Sequence, residues 1–399
     1  MRLTSLDVFR GIAISGMILV NMAGITDKMY PPLIHADWNG CTPTDLVFSF
    51  FLFIVGVAMA FSLSKYTDSL SIAPLGDSPP VPLTKGETIA DNSRSLLTKG
   101  GWGVLYWRIL RRSLILFSLG LLLNGFWNYD WNTIRIMGVL QRISLTYLLT
   151  ALIVLNLPRK GQWLTAFLLL IGYWIAMSLI PVPDYGIGNL SREGNFGAYI
   201  DRLIIGTAHL YKGDKFNSLG DPEGLFSTLP AVVSVLFGYF TGEWLRKQPI
   251  KSRTSIDLVI AGLACLVVGQ VWDFWFPINK KLWTSSYVVF TTGWALLLLA
   301  ACYDLIEVRA KRRWGKPFEI MGLNAIFVFV ASVLLIKIMV KTKIGIGDKA
   351  PNIYTWINQH LFVPWLGEMN GALLFAILTV LFWLLILYVM YRQRWFVKV

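Results

Sequence analysis

The segment from His35 to Gly56 places a cluster of polar side chains directly before an apolar run. The cluster, HADWNG, supplies an imidazole, a carboxylate, an indole and an amide. Asp45 then opens a mostly apolar stretch of about twenty residues, which is long enough to cross a bilayer. Ionisable side chains at the edge of hydrocarbon are costly unless they have partners, so they indicate function. His35 is therefore the first candidate for a catalytic role.

Asn21, His35 and Asp45 are predicted to meet at one site. Asn21 lies near the end of the first apolar segment, and a short connection joins it to the polar cluster. A neutral imidazole is suited to general base chemistry, and a carboxylate neighbour sets its tautomer. The alternative is that His35 and Asp45 only cap the second helix and anchor the loop. Trp38 and Asn39, in the same loop, are predicted substrate contacts.

A basic face is predicted near the start of the third apolar segment, WRILRRSLILF. Arg108, Arg111 and Arg112 have the spacing of one helical face, and Arg10 lies about two turns into the first segment. Arginines in this arrangement hold phosphates through paired hydrogen bonds. Simple anchoring of the arginines at the membrane surface is the alternative.

The fourth apolar segment, RIMGVLQRISLTY, contains further polar groups: Arg135, Gln141 and Arg142. If its helix starts near Ile134, Arg142 lies about 12 Å deep. A guanidinium at that depth must face the bundle interior or a polar cavity.

Polar residues also occur in or beside later apolar segments. Asp273 and Asn324 are explained equally by hydrogen bonds between helices and by contacts with a substrate. Lys280 and Lys281 form a basic pair in a short loop on the side that carries few other basic residues. This pair is an exception to the positive-inside rule, and the exception favours a role in ligand binding.

The composition places these residues in a membrane protein. Of 399 residues, 55% are hydrophobic and only 15% are charged, which lies outside the range of soluble globular chains. We predict an all-α, polytopic bundle of about ten transmembrane helices, formed as a single domain over residues 1–399. The predicted spans are 6–25, 44–64, 104–124, 134–156, 162–180, 226–246, 255–276, 284–303, 319–340 and 371–391.

The distribution of Lys and Arg predicts the orientation. These residues collect in alternate loops and near both ends of the chain, so both termini are predicted to be cytoplasmic in the cell membrane. Residues 67–100 are then a flexible cytoplasmic loop, and 181–225 and 341–370 face outward. Much of the net charge of +13 follows from this bias, so no nucleic-acid partner is predicted. The three cysteines have no metal-binding spacing, and no metal is expected.

Six segments, in order along the chain, carry a resemblance to a known family. They are LTSLDVFRGIAISGMILVN, HADWNGCTPTDLVFSFFLFIVG, RIMGVLQRI, DPEGLFSTLPAV, FPINKKLWTSSYV and GLNAIF. Together they resemble the heparan-alpha-glucosaminide N-acetyltransferase family and its bacterial relatives, as a form without the family's extracytoplasmic N-terminal domain. The resemblance implies a membrane enzyme that takes acetyl from cytoplasmic acetyl-CoA and acetylates the amine of a glucosamine on the far side. It also implies that His35 is the catalytic histidine, with Asn21 and Asp45 beside it.

The predicted function combines the types and spacing of the polar residues with the family resemblance. His35 acts as a general base or as a transient acetyl carrier, and the sequence leaves both routes open. The expected partners are acetyl-CoA, an amino-sugar acceptor, the bilayer and a second copy in a homodimer. The alternatives are a sugar or sugar-acid transporter and an acyltransferase acting on polysaccharide hydroxyls. The predicted acetyl-CoA contacts are Arg10, Arg108, Arg111, Arg112, Gln141 and Arg142; the predicted acceptor contacts are Trp38, Asn39, Asp273, Lys280, Lys281 and Asn324.

Overall fold

The computed structural model describes residues 3–23, 29–64, 66, 102–345 and 350–397. Within these ranges the chain is all-α, as predicted, and its only strand-like pairing consists of isolated bridges. The predicted flexible loop 67–100 lies outside the described residues. The helices are α1 Thr4–Ala23, α2 Pro43–Ser62, α3 Trp102–Gly125, α4 Val139–Asn156, α5 Arg159–Leu179, α6 Phe196–Ile205, α7 Thr228–Lys247, α8 Ser252–Asp273, α9 Ser285–Tyr303, α10 Lys316–Leu323, α11 Ala325–Lys341, α12 Ile353–Ile357 and α13 Val363–Arg392.

Every predicted span coincides with a helix, but the predicted number of spans is not confirmed. Among the described residues, 7 helices are long and apolar enough to cross a membrane, or up to 8 if the bent pair α10 and α11 is one span. Helices α3 and α7 fall below that criterion, although they contain 24 and 20 residues. Arginines in α3 account for part of its lower apolar character. The structure therefore supports a multi-pass bundle with fewer clear spans than about ten.

Helix α4 starts later than the sequence suggested. It begins at Val139 instead of near 134, so Arg135 belongs to the preceding loop. Asn124 holds that loop out of the helix, because its side-chain amide donates to the carbonyl oxygens of Arg135 and Met137 at 2.9 and 3.1 Å. Arg142 consequently lies in the first turn of α4, about 4.5 Å along the helix at 1.5 Å per residue.

Glycines allow the central helices to approach one another closely. A Cβ at Gly56 of α2 would lie 1.9 Å from a backbone oxygen of α7, and one at Gly238 of α7 would lie 2.0 Å from a backbone oxygen of α2. Gly11 of α1 and Gly322 of α10 form a second contact of this kind, at 1.7 and 2.0 Å. Small residues at helix interfaces are the usual means of close packing in membranes.

The bundle has two ends with different structures. One end, called the loop end, carries residues 29–42, 126–138, 180–227, 274–284, 342–345 and 350–362. Its loops are joined by hydrogen bonds: Trp38 Nε1 donates to Leu190 O at 2.9 Å, and Gly40 N donates to Ile278 O at 2.7 Å. The opposite end, called the terminal end, carries the start of α1, the connections 157–158, 248–251 and 309–315, and the tail after α13. The loops predicted to face outward therefore share one end.

Asn324 lies at a break between two helices and not within a continuous span. Helices α10 and α11 meet there at 81°. The Asn324 side chain donates to Trp395 O at 3.1 Å and accepts from Val397 N at 2.9 Å, so it holds the C-terminal tail at the terminal end. The amide thus satisfies backbone groups of the tail that belong to no helix.

Candidate active site

A polar cavity of about 530 Å³ lies inside the loop end. The side chains of Asn21, His35 and Gln141 line it, together with the charged groups of Glu223 and Lys280. Apolar side chains from α1, α2 and α11 form much of the remaining wall. The predicted meeting of Asn21 and His35 is therefore observed as a shared cavity, which we call the loop-end cavity.

Asp45 fixes His35 and the start of α2 at the same time. Its Oδ1 lies 2.6 Å from His35 Nδ1, and the carboxylate side chain is 1% exposed. Its Oδ2 accepts from the backbone nitrogens of Thr42 and Ala36 at 3.0 and 3.1 Å. Asp45 is the third residue of α2, and together with Thr42 it forms a capping box. Helix capping and orientation of the imidazole, which the sequence presented as alternatives, are thus both present.

The contact with Asp45 determines what the imidazole can do. An ionised carboxylate accepts hydrogen bonds only, so Nδ1 of a neutral His35 carries the proton and donates it. Nε2 is then left with a lone pair, which is the form that a general base or a nucleophile requires.

Lys280 lies beside this pair. Its Nζ is 3.0 Å from His35 Nδ1, 3.4 Å from His35 Nε2 and 3.6 Å from Asp45 Oδ1. Asn279 shapes the loop that carries Lys280, because its side chain accepts from Leu282 N at 2.9 Å. Burial lowers the pKa of Lys280, while the carboxylate of Asp45 opposes that shift. The sequence placed Lys280 among acceptor contacts, and the structure places it at the imidazole.

Arg135 forms a second charged cluster in the cavity wall, with two acidic residues. Its Nη2 lies 2.6 Å from both Asp221 Oδ1 and Glu223 Oε2, and its guanidinium lies 4.2 Å from the centre of the Tyr211 ring. Burial works against ionisation of Glu223, but Arg135 and Arg142 outweigh it and lower the Glu223 pKa. Sequence reasoning did not single out Glu223, although it lies in the DPEGLFSTLPAV segment.

The predicted acetyl-CoA residues in α4 have different locations. Gln141 lines the loop-end cavity. Arg142 is fully buried behind the wall, where it donates to Gly224 O at 3.2 Å and to the Ser227 hydroxyl. The Arg142 guanidinium also lies 4.9 Å from the Trp283 ring. Arg142 therefore supports the segment that presents Glu223.

A second cavity, of about 360 Å³, opens into the terminal end and is called the terminal-end cavity. Arg10 and Arg112 line it. Arg112 packs over the Tyr147 ring at 4.9 Å, and its buried Nε has no hydrogen-bond partner among the described residues. Arg108 and Arg111 point to the exposed side of α3 and do not line this cavity. The predicted basic face is thus divided between a cavity and the surface.

Apolar side chains separate the two cavities. They surround a gap of about 10 Å³ and come from α1, α2, α3, α4 and α11. Several line the loop-end cavity on one side, and the others line the terminal-end cavity on the other. We call this group the apolar septum; it consists of Met17, Phe51, Leu116, Leu140, Ile143, Ile326 and Phe329.

The remaining predicted acceptor residues lie outside the lining of the loop-end cavity. Asn39 accepts from Asn279 Nδ2 at 3.1 Å, and Asp273 accepts from Ile278 N at 2.6 Å, so both shape the Lys280 loop. Lys281 pairs with Asp214 at 3.2 Å. Trp38 holds the loop-end connections described above, and Asn324 is at the opposite end. Within the described ranges, no three His, Cys, Asp or Glu side chains converge as metal ligands.

Comparison with known proteins identifies the family. The family model described as "Heparan-alpha-glucosaminide N-acetyltransferase, catalytic" matches residues 2–271. The human and mouse proteins named heparan-alpha-glucosaminide N-acetyltransferase are each 29% identical to this chain, over alignments of 455 and 452 residues that cover all of it. The chain spans 60% of the length of these relatives. Since the family model covers well over half of the sequence, the chain belongs to the heparan-alpha-glucosaminide N-acetyltransferase family.

Proposed function

We propose that the protein transfers the acetyl group of acetyl-CoA to the amine of an amino sugar across a membrane. The observation that carries the proposal is the His35–Asp45 pair in the wall of the loop-end cavity, with Nδ1 and Oδ1 2.6 Å apart. The names of the related proteins support the reaction, since both are N-acetyltransferases that act on a glucosaminide.

In the one-step route, His35 Nε2 removes a proton from the acceptor nitrogen as that nitrogen attacks the thioester carbonyl. The C–N bond forms, the C–S bond breaks, and the departing CoA sulfur receives the proton from the imidazolium. Lys280 stands 3.4 Å from Nε2, where its ammonium stabilises negative charge that develops on the carbonyl oxygen. Glu223, in the same cavity, attracts the acceptor while its nitrogen is still an ammonium.

In the two-step route, His35 Nε2 attacks the thioester carbonyl itself and releases CoA. The acceptor nitrogen then attacks the acetyl-imidazole, the bond from the acetyl carbon to Nε2 breaks, and the proton lost by the acceptor nitrogen balances the one that the CoA thiolate takes up. Both routes need the same tautomer, which Asp45 maintains. They differ in one measurable way: only the second leaves label on the protein when labelled acetyl-CoA is added without acceptor.

The terminal-end cavity is the proposed entrance for acetyl-CoA. Arg10 and Arg112 would hold the phosphates of its head group there, since arginine pairs with phosphate through two parallel hydrogen bonds. Half a hydrocarbon core is about 15 Å thick, a distance that the pantetheine arm can cover. The thioester would then reach His35 by parting the apolar septum.

The test is acetyl transfer from radiolabelled acetyl-CoA to glucosamine by purified protein. His35→Ala should lower the rate by about 10²-fold or more, because a general base contributes at least that much. His360→Ala is the matched control, since His360 is exposed and lies outside both cavities. If His35→Ala retained activity within a few-fold of the wild type, the assignment would be wrong.

A further inference from the structure

We propose that Lys337 and Gln141 form a recognition site for an oxyanion in the loop-end cavity. Both side chains line the cavity, on α11 and α4. The inference rests on the proposed function, because it assigns the ligand to the same cavity. It adds that the ligand carries a negatively charged group, which neither the acetyl group nor an amine supplies.

Lys337 is a cation inside an apolar helix. Helix α11, AIFVFVASVLLIKIMVK, carries no other charged residue before its last position. Placing an ammonium in such a segment is costly, so it is expected to have a partner or a function. Its Nζ donates to the backbone oxygens of Leu123 and Asn124 at the end of α3.

Those carbonyls do not neutralise the charge. A helix C-terminus carries about half an elementary charge, spread over several oxygens. The other cations of the cavity are paired: Arg135 with Glu223 at 2.6 Å and Lys280 with Asp45 at 3.6 Å. Among the described residues, Lys337 has no carboxylate within 4.0 Å. It is thus the cation of this cavity with capacity for an anionic ligand.

Gln141 supplies an unused donor in the same cavity. The residue is 1% exposed, and its Nε2 has no hydrogen-bond partner in the described structure. The amide lies against Gly120, where a Cβ would come within 2.4 Å of Oε1, so the glycine leaves room for the amide in this position. A buried amide nitrogen without a partner is costly, which favours a ligand atom as its acceptor.

A cation and an amide donor that line one cavity match a sulfate, carboxylate or phosphate oxygen. A neutral sugar hydroxyl would satisfy Gln141 and leave the charge of Lys337 unmatched. Two ligands of the proposed reaction can bring an oxyanion: the acceptor, as an acidic group on or beside the amino sugar, and the donor, through its phosphates.

The acceptor arm compares equilibrium binding of glucosamine and glucosamine 6-sulfate to purified protein in nanodiscs. Wild-type protein should prefer the sulfated sugar by about tenfold, the equivalent of one charge-assisted hydrogen bond. Lys337→Met should abolish that preference, Lys337→Arg should retain most of it, and Gln141→Leu should reduce it. Lys341→Met is the matched control, because Lys341 is exposed at the end of the same helix.

The donor arm compares acetyl-CoA with acetyl-pantetheine, which has no phosphate. If Lys337→Met instead weakens acetyl-CoA selectively, the oxyanion belongs to the donor and the site still stands, but the donor phosphates then bind in the loop-end cavity instead of at Arg10 and Arg112. If Lys337→Met changes neither preference and only lowers the melting temperature, Lys337 is merely a cap on α3 and the proposal fails. Because binding is measured without turnover, a protein that bound sulfated sugar but transferred no acetyl would refute the proposed function alone.

Discussion

The two carboxylate oxygens of Asp45 have different hydrogen-bond partners. Oδ1 faces the imidazole, and Oδ2 accepts hydrogen bonds from the backbone nitrogens of Thr42, which caps α2, and of Ala36, which follows His35. An amide has the same shape but only one acceptor oxygen, so it can satisfy one of these requirements and not both.

Asp45→Asn is therefore expected to separate the two contributions. If the amide oxygen keeps the cap, the amide nitrogen faces His35 and donates to Nδ1, which places the imidazole proton on Nε2 and removes the base. We expect a loss of about 10²-fold or more in kcat, with a melting temperature close to that of the wild type. Asp45→Ala should lower both quantities. Activity of the Asn variant within a few-fold of wild type would show that the tautomer does not matter.

The same residue shows how far a sequence specifies a site. The sequence predicted that Asn21, His35 and Asp45 lie at one site, and the structure shows His35 in contact with Asp45 and both Asn21 and His35 in the lining of one cavity. Glu223 could not be predicted in this way. It reaches the cavity through Arg135 and Arg142, and these contacts span more than 80 residues of chain. Such long-range pairings follow from tertiary packing and leave no local periodicity.

At the scale of elements, helix positions were predictable and helix interruptions were not. Apolar runs predicted where the long helices lie, because the bilayer imposes length and polarity, but they did not give the number of clear spans. The start of α4 and the break at Asn324 both involve asparagine side chains that make long-range contacts: Asn124 binds carbonyl oxygens of the loop before α4, and Asn324 binds the C-terminal tail. The sequence contains many asparagines, and only tertiary packing determines which of their side chains make such contacts.

Helix α3 provides a comparison between two of its arginines. Arg112 lines the terminal-end cavity, whereas the adjacent Arg111 is exposed. Arg112→Ala should raise the Kd for CoA by about tenfold or more, given about 1.5 to 3 kcal/mol per charge-assisted contact. Arg111→Ala should leave it nearly unchanged. Equal effects on binding, measured by titration calorimetry, would instead favour a general contribution of surface charge.

Asp201 makes the surface helix α6 sensitive to pH. The side chain is 2% exposed, and burial raises the Asp201 pKa to about 7 from an ordinary value of 3.8, although a hydrogen bond from Phe226 N opposes the shift. Because the folded state holds this proton more tightly than the unfolded state, the Asp201 contribution to stability falls as pH rises from about 4 to about 7.

Asp201→Asn should therefore stabilise the protein more at pH 8 than at pH 5. The amide oxygen can still accept the hydrogen bond from Phe226, and the cost of a buried carboxylate disappears. Melting curves of both proteins at the two pH values test this. A difference in melting temperature that stayed constant with pH would mean that Asp201 does not titrate in this interval.

At the scale of the whole molecule, the proposed reaction depends on which end faces the cytoplasm. Basic loops at the terminal end, including the one with Lys311, predict that this end is cytoplasmic. The His35 site would then face outward, which is the arrangement that transfer across a membrane requires.

Single cysteines test the orientation in a variant without Cys41, Cys265 and Cys302. Ile187 is 65% exposed at the loop end, and Lys311 is exposed at the terminal end. An impermeant maleimide added to intact cells should label Ile187→Cys and should leave Lys311→Cys unlabelled until the cells are opened. The reverse result would place His35 on the cytoplasmic side and eliminate transfer across the membrane.

The close glycine contacts between α2 and α7 and between α1 and α10 limit which amino-acid substitutions the protein tolerates. Every amino-acid replacement of a glycine adds at least a Cβ, and at Gly11, Gly56, Gly238 and Gly322 that atom would lie within 2.0 Å of backbone, which no rotamer can relieve. At these four positions no amino-acid substitution is therefore conservative. In a saturation mutagenesis library, substitutions of these glycines should reduce activity as strongly as substitutions of His35, although the glycines contact neither ligand. The glycine variants should lose folded protein, whereas the His35 variants should lose turnover.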